Sequence, residues 1–141
     1  MYIGLGMENE LVKYVVEELD GLRLIRVEFP RVLTPSTMPE AYTQYVALWE
    51  VEVPTVVLVD MVRLEDMPEN AKQALGVLLG RIAINTSFVA SAWMQPKHAG
   101  ISGVLIDLLR DAGGQRTIFV DENTALAYLR DRIAARRVRT G

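Results

Sequence analysis

Cysteine is absent from the 141 residues, and histidine occurs once, at His98. The first absence excludes a disulfide framework, a thiolate zinc site and a cysteine nucleophile. The second leaves any transition-metal site to rest on carboxylates alone, a poor match for such ions. Long apolar runs are missing as well: none approaches the ~18 residues that a membrane-spanning helix requires. Residues Met1–Glu10 have neither a basic stretch nor a sustained apolar one, so they do not read as a signal peptide. The expected compartment is the cytoplasm. What remains is ordinary for a globular chain, with 50% hydrophobic and 23% charged residues in about one domain's length.

The net charge of −3 is unevenly spread. Residues 1–109 carry 8 Lys/Arg against 14 Asp/Glu, whereas residues 110–141 carry 7 Arg against 4 acids. The arginine-rich end, with Arg130, Arg132, Arg136, Arg137 and Arg139, invites a reading as a site for nucleic acid, anionic lipid or an acidic protein. The plainer reading is a solvated helix end whose cations suit the negative pole of the helix dipole. An acidic domain without a basic groove favours the plainer one, and no nucleic-acid partner is expected.

Along the chain, Val12, Tyr14 and Val16 alternate with Lys13, Val15 and Glu17, and Asp20-Gly21 then supplies a hairpin turn. The second arm, Leu22–Phe29, sends Ile25, Val27 and Phe29 one way and Arg26 and Glu28 the other, which predicts a sheet face partly open to water. After Pro30 the period changes. Met38, Ala41, Tyr42, Tyr45, Val46 and Trp49 form one helical stripe, with Thr37 and Glu40 fitting a capping box. Thr55–Val59 reads as a buried parallel strand. A second helix starts at Asp66-Met67-Pro68-Glu69 and buries Ala71, Ala74, Leu75, Leu78 and Ile82. Thr86–Trp93 is the next strand, Ile101–Leu109 a third helix ended by Gly113-Gly114, and Arg116–Val120 the last strand. Asp121 caps a closing helix that turns Ala125, Leu126, Leu129 and Ile133 inward. The expectation is a single-domain α/β fold with a mixed sheet in the order β-β-α-β-α-β-α-β-α. It divides into an N-terminal segment at 1–9, the domain at 10–135 and a basic tail at 136–141.

That order resembles the STAS family, the fold of bacterial anti-sigma-factor antagonists and their SpoIIAA-like relatives, over residues 10–135. The residues that carry the resemblance are Val56-Val57-Leu58-Val59-Asp60, with a helix start seven residues later, and the run from Arg116 to Leu129. The latter is similar to the family's closing strand, acidic cap and Ala-Leu-x-aromatic-Leu helix. The resemblance implies a non-enzymatic regulator that docks on another protein. In phospho-switched members an Asp-Ser pair opens the second helix, and a partner kinase phosphorylates the serine. Here that place reads Glu65-Asp66-Met67-Pro68, and Met67 cannot accept a phosphate. Some SpoIIAA-like relatives are instead associated with apolar ligands or membranes, which keeps a ligand-binding function in view.

Asp60, Glu65, Asp66 and Glu69 gather at the C-terminal end of the central strand, where open α/β sheets bind ligands. Converging carboxylates there suit a Mg²⁺-dependent phosphoryl site. The plainer reading spends Asp66 and Glu69 on capping and leaves Glu65 in water. A triad can be written from Ser91 or Ser102, His98 and Asp107, but no Gly-x-Ser-x-Gly elbow supports it. The stretch Lys97-His98-Ala99-Gly100-Ile101-Ser102-Gly103 follows a strand and opens a helix, so free N–H groups and two glycines suit an anion. Against that stands a tight strand-to-helix turn in which Gly103 permits close packing. Trp93 and Met94 read either as the rim of a pocket beside this loop or as core.

These readings converge on three functions. The first is an interaction module that presents Asp60, Asp66, Met67, Glu69 and Asn70 to a protein partner. The second is a binder of a small apolar or anionic molecule through Trp93, Met94, Lys97, His98, Gly100, Ser102 and Gly103. The third is the carboxylate–Mg²⁺ phosphoryl-transfer protein built on Asp60. No catalytic residue and no cofactor is expected for the first two. The exposed hairpin and the apolar Tyr2, Ile3 and Leu5 further predict a homodimer through the N-terminal segment or the hairpin.

Overall fold

The run Thr55–Asp60 is β-branched almost throughout, and its first five side chains are all buried, as a strand covered on both faces requires. It forms the middle of a five-stranded sheet. The computed structural model describes residues 11–33, 38–67, 73, 87–98, 100, 101, 103, 107 and 117–140. Its elements are β1 (Lys13–Leu19), β2 (Leu22–Glu28), α1 (Met38–Leu48), β3 (Thr55–Asp60), β4 (Phe88–Met94), β5 (Thr117–Phe119) and α2 (Glu122–Thr140). The strands lie side by side in chain order; β1 runs antiparallel to β2, and the remaining neighbours are parallel. Helical backbone also occurs at Gln73 and at Gly100, Ile101, Gly103 and Asp107, inside the stretches expected to be helical.

The alternation of side chains divides the core between two faces. Ile25, Val27, Val57, Val59 and Trp93 share one cluster with Ala41, Tyr45 and Trp49 of α1 or its end. Leu22, Leu24, Val56, Leu58, Ala90, Ala92 and Met94 share the other with Ala125, Leu129 and Ile133 of α2. Each large aliphatic side chain taken from water in this way contributes about 1.5–3 kcal/mol before entropy is counted. The sheet is thus sandwiched between helices, as a parallel arrangement demands.

Two findings refine the sequence reading. The face that carries Arg26 is only partly open to water: Val15 and Glu17 on it are exposed, but the start of α2 covers Arg26 itself. The Arg26 guanidinium, only 15% exposed, donates to Glu122 Oε1 at 2.7 Å and lies 3.5 Å from Glu17 Oε1. A single charge on an apolar face needed only one acidic helix start above it. Residues 136–140, expected as a tail, continue α2. Arg137 donates to the Asp20 carbonyl, and Arg130 lies 3.7 Å from the Asp20 carboxylate, so the helix end is tied to the hairpin.

The hairpin turn takes the predicted form: Asp20 and Gly21 have φ of 48° and 89°, the pair of positive values a two-residue type I′ turn requires. The other helix is fixed from β1 and β2. Tyr14 donates its hydroxyl to the Ala41 carbonyl at 2.7 Å, and its ring stacks on Tyr45. Burial pushes this hydroxyl well above the ordinary tyrosine range. Arg23 donates to the Leu48 and Val51 carbonyls at the end of α1, to Thr55 Oγ1, and lies over the Trp49 ring. It serves as a side-chain cap for carbonyls that the helix itself leaves unpaired.

Candidate functional site

Parallel strands bring their C-terminal ends to one rim. Here the ends are in register, with Glu28 beside Asp60 and Asp60 beside Met94. Three residues beyond each of these ends stands a cation: Arg31, Arg63 and Lys97. The chain between is held by backbone bonds. Phe29 N–H donates to Asp60 O at 2.9 Å, Met61 N–H to Met94 O at 3.1 Å, and Gln95 N–H to Phe119 O at 3.0 Å. The three turns are also tied to each other. Glu65 N–H donates to Arg31 O at 2.7 Å, Leu33 N–H to Asp66 O at 3.0 Å, and Lys97 N–H to Val62 O at 3.2 Å. Val32 and Asp66 form a parallel bridge that extends the sheet by one more rung. The rim is therefore a hydrogen-bonded platform rather than a set of independent loops.

On it lies a depression of about 440 Å³ lined by Arg31, Val62, Arg63, Glu65, Lys97 and His98. Arg31 Nη1 is 3.6 Å from Glu65 Oε1, with both side chains more than half exposed, so the pair is weak and open to competition. Among the described residues no ion pair engages Arg63 or Lys97. The lining thus holds three cations against one carboxylate, inside a chain that is acidic overall. Such a surface attracts an anionic group and orients it with guanidinium donors, which suit carboxylate and phosphate geometry.

The anticipated site residues fall into three groups. Asp66, Lys97, His98, Gly100 and Gly103 are exposed, and Lys97 and His98 share the depression. Asp60 is partly exposed, but its Oδ1 accepts the Val62 N–H at 3.0 Å, which fixes the turn below the depression. Met67, Trp93 and Met94 are core, only 3%, 3% and 7% exposed. The first two pack in the α1-side cluster and Met94 in the α2-side cluster: Trp93 and Met94 end a strand that still lies under the helices, and Met67 directly follows the bridge at Asp66 that continues the sheet. Trp93 Nε1–H donates to Ser91 Oγ at 3.1 Å, so the ring is anchored inward. Glu69, Asn70 and Ser102 lie outside the described residues, as do the N-terminal segment, the Thr37 cap and the stripe of the second helix. Among the described residues no three carboxylate or histidine side chains converge where a metal ion could be held.

Among the described residues nothing lies within 4 Å of where a Cβ on Gly103 would be, so no close packing is seen there, and at Gly100 a Cβ would meet the His98 ring at 3.4 Å. Arg31 and Arg63 escaped the sequence reading. Their signal was positional: a basic residue at the same offset beyond three successive strands.

The comparisons bear on the fold. No family model matches the sequence, and no curated protein matches it. Among solved structures, that of an anti-sigma-factor antagonist (STAS) domain protein from Planctomyces limnophilus is similar to this chain at a TM-score of 0.54 and 15% identity. The likeness covers 83% of this chain and 95% of that one. The chain has the fold of a STAS domain, as its element order had implied. Among the described residues no helix is long and apolar enough to cross a membrane.

Proposed function

We propose that this STAS-fold chain is a non-enzymatic interaction module that docks an acidic surface of a protein partner on the rim beyond β2, β3 and β4. The observation that carries this reading is the platform of Arg31, Arg63 and Lys97, backed by backbone bonds that tie the three turns together and by buried side chains beneath it. A rigid, charged, shallow surface favours recognition of another macromolecule over enclosure of a substrate. Within the anticipated stretch, Asp66 remains the exposed contact, Asp60 positions the turn, and Met67 is buried beneath it; Glu69 and Asn70 stay proposed contacts from the sequence alone. Without a hydroxyl at position 67 the docking is constitutive with respect to phosphorylation there.

Affinity capture from a lysate of the source cells tests this. The wild-type chain retains a stoichiometric partner, Arg63→Glu and Lys97→Glu lose it, and Arg132→Glu on α2 keeps it. Capture unaffected by the rim substitutions contradicts the proposal.

A second reading rests on the same three cations: a small anion occupies the depression, with Arg31, Arg63, Lys97 and His98 as donors and Gly100, Ser102 and Gly103 giving backbone access. Native mass spectrometry of freshly purified protein separates the two. A co-purifying anionic molecule that is lost in Arg63→Glu supports the second, and a bare chain mass supports the first.

A further inference from the structure

We propose that two copies of this chain pair through the outer edge of β1, antiparallel and centred on Val15, joining their sheets into one. In the sheet order β1 comes first, and among the described residues β2 is its sole strand partner. Which backbone groups face outward follows from the bonds on the far side of β2. Arg23 N–H donates to Pro54 O and Phe29 N–H to Asp60 O, so the odd residues of β2 direct their backbone groups at β3. The even ones, Leu22, Leu24, Arg26 and Glu28, face β1, where their partners are Leu19, Glu17, Val15 and Lys13. The N–H and C=O groups of Val12, Tyr14, Val16 and Glu18 therefore point away from the sheet, a ready template for another strand. The side chains around that edge are unusually apolar for an exposed strand. Val15 and Val16 are 40% and 51% exposed, and a depression of about 540 Å³ runs beside them, lined by Leu11–Val15 together with Glu40, Ala41, Gln44 and Leu48.

The occupant is a second copy because the strand is complementary to itself. A two-fold axis normal to the sheet keeps each face with its own kind, so opposed residues must both be odd or both even. Centring on Val15 sets Lys13 opposite the partner's Glu17, Tyr14 opposite the partner's Val16, and Val15 opposite its own counterpart. The Tyr14–Val16 pairs then fall at hydrogen-bonded positions, and the Lys13–Glu17 pairs at the closer positions between them. Centring on Val16 instead opposes Val15 to Glu17 and Lys13 to Leu19; centring on Tyr14 opposes Glu17 to Leu11. The charges agree with the Val15 register. Arg26 faces two carboxylates, Glu17 and Glu122, leaving one negative charge on that face for the partner's lysine.

Light scattering after gel filtration of the full chain is the test, with folding of each variant checked by circular dichroism. The expected wild-type mass is twice 15.8 kDa at micromolar concentration. Lys13→Glu and Glu17→Lys each oppose like charges twice and weaken the dimer by about tenfold or more. An equimolar mixture of the two variants restores dimers, each holding one chain of either kind, because every opposed pair again attracts. A wild-type monomer throughout the micromolar range overturns the proposal. So does a dimer indifferent to both substitutions, or a mixture that stays dissociated. A full chain that is monomeric while a chain lacking residues 1–8 dimerises assigns the edge to that segment of the same molecule and overturns it equally.

Discussion

Met67 stands where the resemblance to phospho-switched STAS domains would put a serine, and its side chain is 3% exposed within the core. Restoring the hydroxyl therefore does not restore a switch: Met67→Ser removes apolar volume from a packed cluster and presents nothing to a kinase. We expect a loss of about 2–4 kcal/mol in urea denaturation, and no phosphate uptake by the folded variant in intact-mass measurements. Arg23 is the opposite case, a charged residue with a structural task. Arg23→Ala releases the Leu48 and Val51 carbonyls and Thr55 Oγ1 and should lower unfolding free energy by about 2 kcal/mol, also by urea titration. Gly103, helical and with no described atom within 4 Å of where a Cβ would be, should tolerate alanine with a gain of up to about 1 kcal/mol. If an anion approaches the backbone there, the same substitution lowers its affinity. At this scale the sequence was an uneven guide. Apolar residues at a strand's last positions are more often core than rim, and the helices lying over Trp93 and Met94 put both in the core. The arginine whose neighbours are carbonyls looked like any surface charge.

The elements were more legible, because each carries its signal locally. Asp20-Gly21 announced a positive-φ turn and adopts it. Alanine at Gly21 would be forced into that turn with its Cβ 3.0 Å from the Arg137 guanidinium, so Gly21→Ala should destabilise the chain by about 1 kcal/mol or more and loosen the end of α2 in hydrogen exchange. Asp121 announced the start of α2. Its Oδ1 accepts the Thr124 hydroxyl at 2.5 Å and the Thr124 N–H at 2.8 Å, bonds that hold its carboxyl below the usual range. A depressed carboxylate stabilises the fold above its unfolded pKa, and that contribution is lost as pH falls through the folded value. The wild-type advantage over Asp121→Ala in thermal melts should accordingly be full at neutral pH and shrink in acid, below the ordinary carboxylate range. The relation between elements was harder to read. That Glu122 of α2 would meet Arg26 of β2, 96 residues away, follows from the return of the chain over the sheet after β5 and from no local pattern.

For the whole molecule, the α/β class and the STAS order could be read because Val56–Val59 is an unbroken buried apolar run and the hydrophobic period changes from two to 3.6 along the chain. The rim could be read only in part, since it is assembled from three turns that register brings together. Asp66, Lys97 and His98 were found there; Arg31 and Arg63 needed the alignment of Glu28, Asp60 and Met94 to gain meaning. If protein recognition takes place on that platform, a photo-crosslinking amino acid at position 66 reports on it most directly. With the label at Asp66, irradiation in cells should give one discrete adduct of partner-plus-chain mass that disappears in Arg63→Glu. The same label at Arg132 on α2 should give none. Equal adducts at both positions, or an adduct at 66 indifferent to Arg63→Glu, would contradict the placement of the docking surface.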